Sequence, residues 1–110
     1  MLENLKKIAT LLESIPGFGG KVVYRAWQEG TAPSLPFICY LETGSANFAA
    51  DGIAYYKIKQ IDIELYTDFK DLETEALVEA ALDAAGIYWE STEVYIDDEK
   101  MYEKKYSIEV

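Results

Sequence analysis

Asp62 and Glu64 are the pair of side chains in this 110-residue chain best spaced for chemistry. Residues two apart on a strand share a face, and two carboxylates on one face can pass protons or hold a metal. They lie, however, in a run that alternates charged and apolar residues. An exposed strand face, paired with Lys57 or Lys59, accounts for them more simply. Asp97-Asp98-Glu99 lacks the ligand spacing and the glycine of a calcium loop and reads as a polar hairpin turn. Gly17-Phe18-Gly19-Gly20-Lys21 has the look of a phosphate loop. Its spacing is wrong, Val22 stands where Ser or Thr would hold magnesium, and it follows a helix instead of opening one. The chain contains no histidine, which removes the Ser-His-Asp and Cys-His nucleophile systems and the usual zinc ligand sets. The single Cys39 cannot form an intramolecular disulfide, and its place between Ile38 and Tyr40 reads as that of a buried, inert thiol. No catalytic, cofactor-binding or metal-binding residue is expected, and the chain reads as a non-enzyme.

The elements that would position these residues follow from periodicity. Leu2, Leu5, Ile8, Leu12 and Ile15 recur at three- and four-residue steps, so a helix is expected over residues 2–14, ended by Pro16 and Gly17. Lys21–Ala26 and the apolar Phe37–Leu41 read as strands, the second buried on both faces. Residues 28–36 form a Gly- and Pro-broken loop between them, packed onto the core by Trp27. Residues 42–52 read as a polar loop with Phe48 near its middle. Residues 54–67 read as one long strand with a phase slip near Lys59–Gln60, because Tyr56 and Ile58 have the opposite parity from Ile61, Ile63 and Leu65. Thr67, Asp68 and Asp71 offer helix caps. Leu72, Ala76, Val78, Ala81, Leu82 and Ala85 mark a second helix, with Gly86 beyond its end. A hairpin of about residues 87–96 and 101–110 closes the chain. The expected fold is α+β: a mainly antiparallel sheet of about five strands, with two helices packed on it, in the order α-β-β-β-α-β-β. The chain length suits one domain over residues 1–110.

Composition narrows the function classes. Half the residues are hydrophobic and 14% aromatic, including nine tyrosines, which is too apolar for a disordered chain. The N-terminal residues contain no long apolar segment, and no window approaches the roughly 20 apolar residues of a membrane span. A cytosolic origin with no membrane partner is therefore expected. Charge is divided unevenly. Residues 1–60 carry five acids and six bases, whereas residues 61–110 carry fifteen acids and four bases, giving −10 for the whole chain. The second half would repel nucleic-acid phosphates. Three roles suit it: a well-solvated surface, a mimic of DNA, or the lining of a passage through which DNA slides without sticking.

From about Val23 onward the sequence resembles a family of small tail proteins of phages and prophages of Gram-positive hosts, the tail-completion or tail-terminator-like proteins. The residues that carry the resemblance are Pro36-Phe37-Ile38-Cys39-Tyr40-Leu41, the segment Thr43-Gly44-Ser45-Ala46-Asn47-Phe48-Ala49-Ala50-Asp51, the strand from Tyr56 to Tyr66, and Thr67-Asp68-Phe69-Lys70-Asp71. Gly86-Ile87, Glu93-Val94-Tyr95-Ile96 and Lys100-Met101-Tyr102 add to it near the end. The resemblance implies a homo-oligomeric virion protein, a hexameric ring on the head-proximal end of the tail tube. Made in the host cytoplasm, the ring would end tube polymerisation and meet the head–tail connector protein. Its partners would be its own copies, the tail-tube protein and the connector, with DNA passing through but not specifically bound. Thr43, Ser45, Asn47, Phe48 and Asp51 are the residues expected at the subunit or tube interface. The alternative is an acidic DNA mimic or inhibitor of prophage origin.

Overall fold

The structure is a computed structural model that describes residues 2–110; the side chains of residues 2, 3, 50 and 54–56 lie outside the description. In chain order the elements are α1 (Leu2–Glu13), β1 (Val22–Tyr24), β2 (Phe37–Ser45), β3 (Phe48–Ala50), β4 (Ile53–Tyr56), β5 (Lys59–Thr67), α2 (Leu72–Ala84), β6 (Trp89–Ile96) and β7 (Met101–Glu109). Five strands form one sheet in the order β1-β2-β5-β7-β6, while β3 and β4 pair only with each other. The expected α-β-β-β-α-β-β order is that of the helices and the five-stranded sheet; the β3–β4 pair is inserted within it.

The alternation in β5 explains the layering. Ile61, Ile63 and Leu65 turn to one face and are fully buried. In register beside them stand Ile38 and Tyr40 of β2 and Tyr106 and Ile108 of β7. Ile8 and Leu12 of α1, Ile15 and Phe18 of the turn after it, and Val78 and Leu82 of α2 complete this single core. Both helices thus cover the same face of the sheet. The other face carries Cys39, Asp62, Glu64, Tyr66, Glu103, Lys105 and Ser107, which occupy the alternate positions on β2, β5 and β7.

Several expectations need adjustment. β2 pairs with β5 antiparallel as anticipated, but β1 and β2 are parallel, because residues 25–36 carry the chain back along the sheet before β2 begins. Trp27 packs on Phe37 with ring centroids 6.1 Å apart, so it covers the face away from the helices and not the core beneath them. On α2, Leu72 and Ala76 are exposed, whereas the acidic Glu75 is buried with Val78 and Leu82. Its carboxylate receives Lys70 Nζ at 2.6 Å and faces Lys104 Nζ at 3.8 Å. A buried charge of this kind persists only when it is paired, and hydropathy periodicity cannot register that.

The ends of α2 are local chemistry. Asp71 accepts from Thr74 N at 3.1 Å and from the Thr74 hydroxyl at 2.7 Å, which satisfies one of the helix's unpaired amides. Glu73 and Glu75 in the first turn suit the positive end of the dipole. At the other end Gly86 adopts φ +71, and its amide and that of Ile87 reach back to Asp83 O and Leu82 O at 3.0 and 2.9 Å. This is a Schellman closure, in which glycine takes the left-handed position without strain. Replacing Asp71 with Ala should lower folding stability by about 1 kcal/mol, read from urea unfolding at constant m. No change in the midpoint would mean that the cap adds nothing to α2.

Candidate functional site

Strand β2 and strand β5 do not stop where the sheet stops. Beyond their ladder, Ala46 N donates to Ile58 O at 3.0 Å, and Ile58 N donates to Asn47 Oδ1 at 3.0 Å. The pairing then resumes as β3 and β4, from Phe48 opposite Tyr56 to Ala50 opposite Ile53. The segment expected as a polar loop is therefore a ribbon, an outgrowth of two sheet strands. The expected long strand over residues 54–67 is broken between Tyr56 and Lys59, and this break accounts for the change of parity. The register shift of the main ladder lies on the partner strand, between Glu42 and Gly44, opposite Ile61 and Gln60.

The turn that closes the ribbon is Asp51-Gly52, with φ +54 and +74. Two successive residues at positive φ make a type I′ turn, whose twist matches that of the strands it joins. Glycine is required at the second position for this reason. The base of the ribbon is fastened by the Lys59–Glu42 ion pair at 2.9 Å and by the Thr43 hydroxyl donating to Gln60 O at 3.3 Å.

The five residues expected at an interface have different positions within this unit. Thr43 and Ser45 are exposed on the last residues of β2. Asn47 ties the junction through Ile58. Asp51 occupies the turn. Phe48 is 65% exposed on β3, and Ile53, which the sequence reading passed over, is 69% exposed on β4. Phe48, Asp51 and Ile53 thus share the ribbon, while Thr43 and Ser45 belong to the sheet at its base. Asp-Gly between two short uncharged runs was the sequence signal that could have located both strands and Ile53.

The face of the sheet away from the helices holds the carboxylate pair. Asp62 accepts from the Ser107 hydroxyl at 2.9 Å and Glu64 from the Tyr66 hydroxyl at 3.1 Å. Neither pairs with Lys57 or Lys59 as the sequence suggested: Lys59 is held by Glu42, and the residue in register with Glu64 is Lys105. Asp62 also lines a cleft of about 500 Å³ with Thr43, Gln60, Tyr88, Glu90 and Glu109, while Glu64 stands outside it. The two carboxylates therefore do not converge on one cavity. Among the described residues, no three His, Cys, Asp or Glu side chains are grouped so as to hold a metal ion, and no helix is long and apolar enough to cross a membrane. Cys39 is 4% exposed. Burial, reinforced by Glu64 and Glu103, pushes its thiol up to about 11, so it is a poor nucleophile.

No protein-family model matches the chain, and no curated protein matches it.

Burial, then the charge of Glu103, holds Glu64 above the usual glutamate value of 4.5, against the opposing pull of Tyr66 and Lys105. The folded protein thus keeps this proton to higher pH than the unfolded chain does. Its contribution to stability is present at low pH and is lost as pH rises through the range just above 4.5. Thermal midpoints measured across that range should show the wild type losing stability relative to Glu64→Gln as pH rises. A difference that does not vary with pH would refute the assignment.

Proposed function

We propose that this chain is a non-enzymatic structural protein of a phage or prophage tail. Copies of it form a ring, a hexamer, at the head-proximal end of the tail tube, end tube polymerisation and join tail to head. One observation carries the reading: the β3–β4 ribbon leaves the body of the protein with Phe48 and Ile53 more than half exposed and with no charged residue in either strand. An isolated two-stranded hairpin is marginal in water, and uncharged exposed strands invite pairing with other chains. A projection of this kind is suited to a protein whose working state is an assembly. It favours assembly over DNA mimicry, which makes no use of an uncharged strand pair. Ring size and placement on the tail rest on the resemblance of the sequence to tail-completion proteins.

The remaining surface is compatible with this role. The molecule, ribbon included, measures 49 × 28 × 23 Å along its principal axes. Exposed acids on α2, β6 and the turn after β6 (Glu73, Asp83, Glu90, Asp97, Asp98 and Glu99 among them) give a surface along which DNA would slide without adhering. Subunits of charge −10 repel one another, so assembly should strengthen as salt screens that repulsion over distances of about 10 Å at 0.1 M.

Sedimentation velocity at rising concentration and salt, alone and with tail-tube protein, tests the reading. Wild-type chain is expected to form a ring-sized species. Phe48→Asp is expected to remain monomeric with its stability within about 0.5 kcal/mol of wild type, as for an exposed position. Normal assembly by that variant, or a wild-type chain that stays monomeric throughout, would contradict it.

A further inference from the structure

The two outer edges of the five-stranded sheet are unequal. β1 has three residues and is flanked by Lys21 and Arg25. Short length and basic charge are two of the ways proteins protect an edge from pairing. β6 has eight residues and pairs with β7 in unbroken register from Trp89 opposite Ile108 to Ile96 opposite Met101. It contains no proline, no lysine and no bulge, its only charged residues are Glu90 and Glu93, and Val94 and Tyr95 are exposed on it at 56% and 45%. Among the described residues its other side has no strand neighbour. An edge of this length is a ready template for another strand.

The same chain carries a strand pair in need of such a template. The contacts of β3 and β4 are almost entirely with each other, and among the described residues neither has a second strand neighbour. We infer that the β3–β4 ribbon of one copy adds to the β6 edge of a second copy, extending its sheet. The inference rests on the assembly reading above and names the surface that receives the ribbon.

Two further observations select a second copy as the occupant of the β6 edge. Direction excludes the ribbon's own β6. The ribbon leaves the sheet at the end where Gln60 pairs with Glu109 and Trp89 with Ile108, whereas β6 runs from that end towards Ile96 at the other. A ribbon pointing off one end cannot fold alongside its own edge strand, but it can reach that of a neighbour. Charge offers one pairing: the exposed Lys57 after β4 can meet the exposed Glu90 of the receiving edge, while the ribbon's one acid, Asp51, lies in its turn. The contact also joins two different surfaces, ribbon to edge, and such head-to-tail contacts propagate into rings when the rotation closes.

Cross-linking between singly substituted proteins tests this. The native thiol of Cys39 is buried and held mostly protonated, so an introduced exposed cysteine reacts selectively with maleimides. Ile53→Cys protein is mixed with either Val94→Cys protein or a control carrying Lys6→Cys on the exposed side of α1, and treated with a short bis-maleimide. Sedimentation of the same mixtures records assembly. The expected result is a 53–94 adduct in roughly tenfold or greater excess over the 53–6 adduct, since docking raises the local concentration of one pair of sites. If the mixtures assemble and the two adducts are equally scarce, ribbon-to-edge docking is wrong and the ring survives with another contact. If neither mixture assembles, nor does the wild type at high salt and with tube protein, the assembly reading fails and takes this inference with it.

Discussion

The register of β5 is the constraint on which the rest of the molecule depends. Ile61, Ile63 and Leu65 are fully excluded from solvent and touch both flanking strands and the helix layer. A shift of one residue would place Asp62, Glu64 and Tyr66 beneath the helices and expose the three aliphatic side chains. Burying two carboxylates without partners is far more costly than any gain from the exchange, so the register is strongly specified. Because β5 continues backwards through Ile58 and Lys57 into β4, the register also sets the point at which the ribbon leaves the sheet. The ion pair from Lys59 to Glu42 and the side-chain amide of Asn47 hold that exit in place.

A second constraint ties α2 to β7 and β6 on the face of the sheet that it covers. Glu75 is 6% exposed and is met by Lys70, which also contacts Glu93 on β6, while Lys104 approaches from β7. Tyr106, buried on β7, donates to Glu79 on the same helix at 2.8 Å. Burial, together with the nearby carboxylates of Glu79, Glu75 and Glu93, pushes its hydroxyl well above the usual tyrosine range, so it acts as a permanent donor. Polar anchors of this kind add geometric definition to an otherwise aliphatic contact. β6, the longer free edge, is joined to the body by its ladder with β7 and by the Lys70–Glu93 pair, even though most of its side chains are exposed.

Much of this architecture was legible in the sequence because it is written in periodicities. Leu2 to Ile15 specify α1, the Ile61-Ile63-Leu65 alternation specifies β5, and Gly86 marks the end of α2 as the left-handed residue it proves to be. What escaped the sequence depends on partners distant in the chain or on short uncharged runs. Glu75 breaks the apolar stripe of α2 because its stabilising lysines come from residues 70 and 104. β3 and β4 are three and four residues long, too short for alternation to declare them, so the turn chemistry of Asp51-Gly52 was the only local sign. Trp27 was rightly read as a packing residue, but the face it packs on depends on the parity of Phe37. At the candidate site, the sequence singled out Phe48 and its neighbours. The ribbon's partner, β6, could emerge only from the strand order.

The proposed assembly makes the ribbon an element whose protection depends on contact with another chain. Hydrogen–deuterium exchange, followed by mass spectrometry while concentration and salt are raised until the protein assembles, tests this most directly. The account predicts that backbone amides of residues 48–56 exchange rapidly in dilute protein and become protected on assembly, while those of β5 are slow in both states. Rapid exchange throughout residues 48–56 in fully assembled protein would contradict it.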